Sequence, residues 1–270
     1  MAKKTETFLL EDVRPRLMRA AFVPTLVAVT DDPDYVDDET VLGTDDVTAA
    51  KIGGAPLLTK EAPAPKCGKC KQPLRFVLQL RRSDLPAAAQ VHLAEELLQL
   101  FWCDDCQSEG GAENPWSKGA LIREVALGQP LAPRKARGDD EDDEDDEGDE
   151  VDALSVTFIR DWQEVEDWPS GQVEVLAAAL EVSPKSEATR EKLEALAEAM
   201  DDAELETLDG VKIAGWPRWV SEPETVKCKC KAVMNPVIQL GEDAVVVGDA
   251  GTTWILACPA CGKKAYVCQQ

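Results

Sequence analysis

Cysteine pairs recur in the same order in both halves of this chain. Cys67-Gly68-Lys69-Cys70 and Cys103-Asp104-Asp105-Cys106 lie in the first half, and Cys228-Lys229-Cys230 and Cys258-Pro259-Ala260-Cys261 in the second. A Cys-x-x-Cys turn places two thiolates on one side of an ion, and two such turns complete the tetrahedral four-sulfur set that zinc prefers. The pattern predicts two zinc ions per chain, one on Cys67, Cys70, Cys103 and Cys106, the other on Cys228, Cys230, Cys258 and Cys261. The second site is the less regular, because Cys228-x-Cys230 is one residue tighter than the usual knuckle. Cys268, seven residues beyond Cys261, could replace a member of that pair, but reads better as a small core residue.

The repetition extends beyond the cysteines. Lys51-Ile52-Gly53-Gly54-Ala55-Pro56 matches Lys212-Ile213-Ala214-Gly215-Trp216-Pro217, and eleven residues after each proline comes the first cysteine. After the first pair, Leu74 to Leu80 falls opposite Met234 to Leu240, with Gln79-Leu80 matching Gln239-Leu240. Each half then closes on an apolar run leading to its second pair, Leu97 to Trp102 in one and Thr252 to Ala257 in the other. The first gap between pairs, 32 residues, exceeds that of a simple zinc ribbon, so the intervening chain must fold out and return.

Nine cysteines without an export signal fit a reducing compartment, where thiolates bind metals more often than they form disulfides. The expected location is the cytoplasm, and no run of apolar residues is long enough to span a membrane.

The net charge is −23. Eleven of the twelve residues from Asp139 to Glu150 are acidic; without them the chain still carries −12. Like charges at that density repel and bury nothing, so 139–150 reads as a solvated linker. It divides the chain into an N-terminal half, 1–138, holding the first module (51–106), and a C-terminal half, 151–270. The C-terminal half holds a helical insertion (186–205) and the second module (212–270). Binding a phosphate backbone needs clustered Lys and Arg, and the one compact basic cluster along the sequence, Arg134-Lys135-Arg137, sits beside the acidic run. Nucleic acid is therefore disfavoured as a partner, and a protein, best a basic one, suits the field better.

Alternation at Leu74, Phe76, Leu78 and Leu80 predicts a half-buried strand. Helices are expected from Pro86 to about Glu96, from Val173 to Glu181 and from Ser186 to about Leu205, and strands at Val237-Ile238, Val245–Val247 and Trp254–Leu256. The fold class that follows is α+β and β-rich, with two pseudo-symmetric halves built on antiparallel strands and a few peripheral helices. Catalysis is not expected. Four thiolates leave no open position on zinc, the one histidine, His92, sits in an Ala/Leu-rich stretch, and no glycine-rich phosphate loop occurs. Trp216 and Trp219, flanking Pro217, suit either core packing or an aromatic anchor for a partner.

The stretches Lys51–Pro56, Cys67-x-x-Cys70, Pro73–Leu80 and Leu100–Cys103 resemble the YwqG-like domain of unknown function. They also resemble the related zinc-bearing family of programmed cell death protein 2 and the Tsr-type ribosome-biogenesis proteins. Gly215–Trp219 and Gly248–Gly251 look like later motifs of the YwqG-like family. The resemblance implies a two-repeat, β-rich fold and a protein-interaction role, chaperone-like or immunity-type. The resulting expectation is a zinc-stabilised adaptor that binds a protein. An RNA-processing or ribosome-biogenesis role and a thiol redox role are the alternatives.

Overall fold

The computed structural model describes residues 8–30, 40–42, 46–106, 115–127, 156–241 and 251–269. The acidic run 139–150, the cluster Arg134–Arg137 and the run Val245–Val247 lie outside them. The chain forms two compact units, Met1–Val23 with Trp162–Gln270, and Pro24–Asp161. In both, the sheet is mostly antiparallel. Among the described residues no helix is long and apolar enough to cross a membrane.

In the unit of residues 24–161, β3 (Lys51–Ile52) lies between β7 (Thr157–Asp167) and β4 (Arg75–Arg81), followed by β5 (Leu97–Trp102) and β6 (Ala120–Val125). Each of these neighbours is antiparallel. The alternation at 74–80 predicts a strand with one wet face, but β4 is buried on both faces from Phe76 to Leu80. Its second face is covered because the Gln79 side chain reaches out to the chain at 47–57 and pins it down. The helix expected over Pro86–Glu96 shrinks to one turn, α2 (Ala87–Gln90). Gln90 turns its amide back onto the Leu85 carbonyl, and the chain re-enters the sheet at Leu97.

The second unit repeats this plan. β8 (Lys212–Ala214) pairs with β9 (Asn235–Leu240), which pairs with β10 (Thr252–Ala257) and then β11 (Lys264–Gln269), all antiparallel. The outer neighbour of β8 is β1 (Arg19–Thr30), through Ala21–Ala214 and Phe22–Ile213, and the far end of β1, from Ala28, pairs in parallel with β2 (Thr40–Leu42). Strand partners are thus exchanged in sequence. β1, which precedes the first module, completes the second, and the start of β7, which precedes the second, completes the first. The two units are accordingly assembled from segments other than 1–138 and 151–270.

Three helices pack together in this second unit: α1 (Leu10–Leu17), α3 (Val173–Ala179) and α4 (Glu187–Asp202). Ser186 caps α4, its hydroxyl accepting from the Thr189 N–H at 3.1 Å. The apolar stripe Leu193, Leu196 and Met200 turns inward against Leu17, Trp168, Leu176 and Leu180, while the acidic side chains keep the outer face.

Candidate metal centres

Hairpin geometry brings the cysteines together. β4 and β5 pair from Arg75–Trp102 to Arg81–Leu97, so the turn before β4 and the turn after β5 meet at one end of the sheet. There Cys67, Cys70, Cys103 and Cys106 converge with all sulfurs within 4.8 Å of one another. β9 and β10 do the same for Cys228, Cys230, Cys258 and Cys261, again within 4.8 Å.

The separations suit one metal ion. Cys70 and Cys103 Sγ lie 3.4 Å apart, Cys230 and Cys258 3.4 Å, and Cys228 and Cys261 3.6 Å. A disulfide needs sulfurs at about 2.05 Å. Zinc–sulfur bonds of about 2.3 Å in tetrahedral array place the sulfurs about 3.8 Å apart. The fit is to a metal ion and not to disulfides.

Each knuckle is closed by its own backbone. Lys71 N–H donates to the Cys67 carbonyl at 3.1 Å and Gly262 N–H to the Cys258 carbonyl at 2.9 Å, both five-residue turns. In the shorter Cys228-x-Cys230 loop, Lys231 N–H reaches the Cys228 carbonyl at 2.7 Å, a four-residue turn. The missing residue is absorbed by tightening the turn, and both cysteines still face the other pair. All three closing residues take left-handed backbone, φ 71° at Lys71, 74° at Lys231 and 71° at Gly262, where only glycine is free of strain. The first centre is also braced by the chain at 117–119. Lys118 and Gly119 carbonyls accept the N–H groups of Gly68 and Cys103 at 2.9 and 2.7 Å. A Cβ at Gly119 would stand 2.9 Å from the Cys106 carbonyl oxygen.

The thiols differ in their readiness to ionise. Burial works to raise Cys67, but the N–H groups of Lys69 and Cys70, with the neighbouring thiols, outweigh it and bring it down to about 7. Burial, joined by Cys70, pushes Cys103 up to about 12. In the second set, burial also opposes ionisation of Cys258, yet the N–H groups of Ala260 and Cys261 and the thiol of Cys230 lower it to about 6. The Lys263 N–H favours ionised Cys261, but Cys258 and Cys228 beside it prevail and hold it at about 11. One thiolate per cluster forms readily; more anionic charge at 3–4 Å is repelled unless a cation sits among the sulfurs.

Cys268 stands apart on β11, half-buried beside Thr253 and Tyr266, and belongs to neither cluster. Trp216 is buried, its indole N–H donating to the Leu17 carbonyl and the Arg19 guanidinium lying over its ring at 3.3 Å. These contacts place it in the core of its unit. Trp219 is half-buried and packs on Trp254, ring centres 4.6 Å apart. His92 lies in the turn after α2 and is part of neither cysteine cluster.

Two buried polar devices went unread in the sequence. Gln79 and Gln239 occupy matching places. The Gln79 amide donates to the Val47 and Ala49 carbonyls, and that of Gln239 to the carbonyls of Leu208 and Gly210, their counterparts in the second half. Each side-chain oxygen accepts a loop N–H, from Leu57 or Arg218, and a donor on the adjacent strand, Gln99 Nε2 or Trp254 Nε1. The recurrence of a glutamine in mid-strand was the available signal. The other device is Asp167, wholly buried, which accepts from Lys212 Nζ at 2.8 Å, Leu208 N–H at 2.8 Å and Trp216 N–H at 2.7 Å.

No curated protein matches the chain. A family profile does match, over residues 50–257, a span that takes in all the cysteines of both centres except Cys258 and Cys261. By that match the chain belongs to the family described as a domain of unknown function (DUF1963).

Proposed function

We propose that this chain is a two-zinc scaffold that binds a protein partner, and that both metal ions are structural. The convergence of four cysteine sulfurs in each cluster carries the reading. Four thiolates fill a tetrahedral zinc, and a catalytic zinc keeps one position for water or substrate. The N–H groups aimed at Cys67 and Cys258 act as the outer support that fixes ligand orientation. Bound zinc then contributes to folding directly.

The partner is cationic. Fifty-two acidic against twenty-nine basic residues give the chain a field that attracts such a protein and speeds its capture. The likeness to the YwqG-like and Tsr-type proteins points the same way, toward a chaperone-like or immunity-type binder. Titration of the zinc-loaded chain with an arginine-rich peptide tests this. Saturable binding that weakens with salt and is lost after chelation supports the reading; no binding at low salt rejects the cationic partner.

A further inference from the structure

The described segments that build the second metal centre are basic, in contrast to the acidic chain as a whole. The described residues from Thr225 to Gly241 and from Gly251 to Gln269 include five lysines and no acidic residue. The lysines are Lys227, Lys229 and Lys231, alternating with Cys228 and Cys230, and Lys263 and Lys264, just after Cys261. In the sequence these are two short strings about thirty residues apart, and neither draws notice alone. The knuckles unite them: Cys230 Sγ is 3.4 Å from Cys258 Sγ, and the Lys263 carbonyl accepts the Cys258 N–H at 2.8 Å. Lys227, Lys229, Lys231 and Lys263 are exposed, and Lys264 is half-buried. The closing of the two knuckles thus brings the two lysine strings together at one end of the unit.

We propose that this lysine collar is a binding surface for the phosphate backbone of a nucleic acid. The kind of side chain decides between a polyphosphate and an acidic protein segment. Protein interfaces are depleted in lysine and anchored by aromatic groups, and residues 225–235 and 258–264 contain no aromatic side chain. Closely set lysines without an anchor suit a ligand held by counterion release. The net charge of −23 does not forbid this. At physiological salt, exposed charges further than about 8 Å away are largely screened, so the total charge of the chain weighs less at this surface than the lysines beside the knuckles do. The surface is independent of the proposed protein partner, so either reading can fail alone.

The test is anisotropy of labelled poly(U) titrated with the full zinc-loaded chain at several salt concentrations. Binding at 50 mM salt is expected, with a log–log salt slope of roughly −2 to −3, as for three or four phosphate contacts at about −0.7 each. Lys229→Glu/Lys231→Glu/Lys263→Glu should weaken it at least tenfold while keeping two metal ions per chain. Lys185→Glu/Lys192→Glu, by α4, should leave it unchanged. If the charge-reversed variant loses metal, the corresponding glutamine triple serves, with a smaller loss. No binding at 50 mM salt, equal binding by the collar variants, or tighter binding of poly-glutamate than of poly(U) would each overturn the proposal.

Discussion

Lys212 Nζ donates to Asp167 Oδ2 at 2.8 Å, and both side chains are closed to solvent. The pair ties the end of β7 to β8, and Asp167 also holds the Leu208 and Trp216 backbone N–H groups. Removing one member of a buried pair strands the other charge, at about 3–5 kcal/mol. Asp167→Ala should cost that much in urea unfolding, and Lys212→Met distinctly less, because the remaining carboxylate keeps its two N–H donors.

The same lysine has a pH signature. Burial lowers its pKa below the ordinary 10.5, more than Asp167 raises it. Between the folded value and 10.5 the unfolded chain binds more protons, so this group's contribution to stability rises with pH there. Unfolding free energies of the wild type and Lys212→Met, compared at pH 8 and pH 10, should shift in favour of the wild type at the higher pH. A shift the other way would show that the ion pair, rather than burial, governs the lysine.

Gln79 satisfies four buried or half-buried partners at once: two carbonyls, the Leu57 N–H and the Gln99 amide. Gln79→Leu keeps the volume and orphans them all, each at about 1 kcal/mol or more. A loss of about 3 kcal/mol or more is expected, with freer amide exchange at 47–57. Gln239→Leu should do the same at 208–218.

The exchange of strand partners yields a deletion test. Without residues 1–23, β8 loses Ala21 and Phe22, and Trp216 loses the Leu17 carbonyl that accepts its indole N–H. The chain lacking 1–23 should lose protection in 162–270, including the second metal centre, although the deleted segment is remote from it in sequence. The unit of 24–161 should keep its metal.

Much of this fold is readable in the amino-acid order, because cysteine spacing and strand alternation are local signals. The ends of β5 and β10 deliver Cys103 and Cys258 as the apolar runs before them predict. The α4 stripe at Leu193, Leu196 and Met200 packs as its spacing demands. What stays hidden depends on contacts far apart in sequence. Nothing around Phe22 says that it will pair with Ile213, and Pro86–Glu96 has the composition of a helix but too little chain between β4 and β5 to form a long one. The lysines near Cys228 and Cys261 become one surface only when the knuckles close.

Metal content per chain, by elemental analysis of protein purified without a polyhistidine tag, decides whether the two cysteine clusters are zinc sites. Two zinc ions are expected, falling to one in Cys103→Ser and in Cys258→Ser and staying at two in Cys268→Ser. Acidification should release both, since each ligand must be deprotonated to hold the ion. A folded chain with no metal and eight reactive thiols would contradict the account.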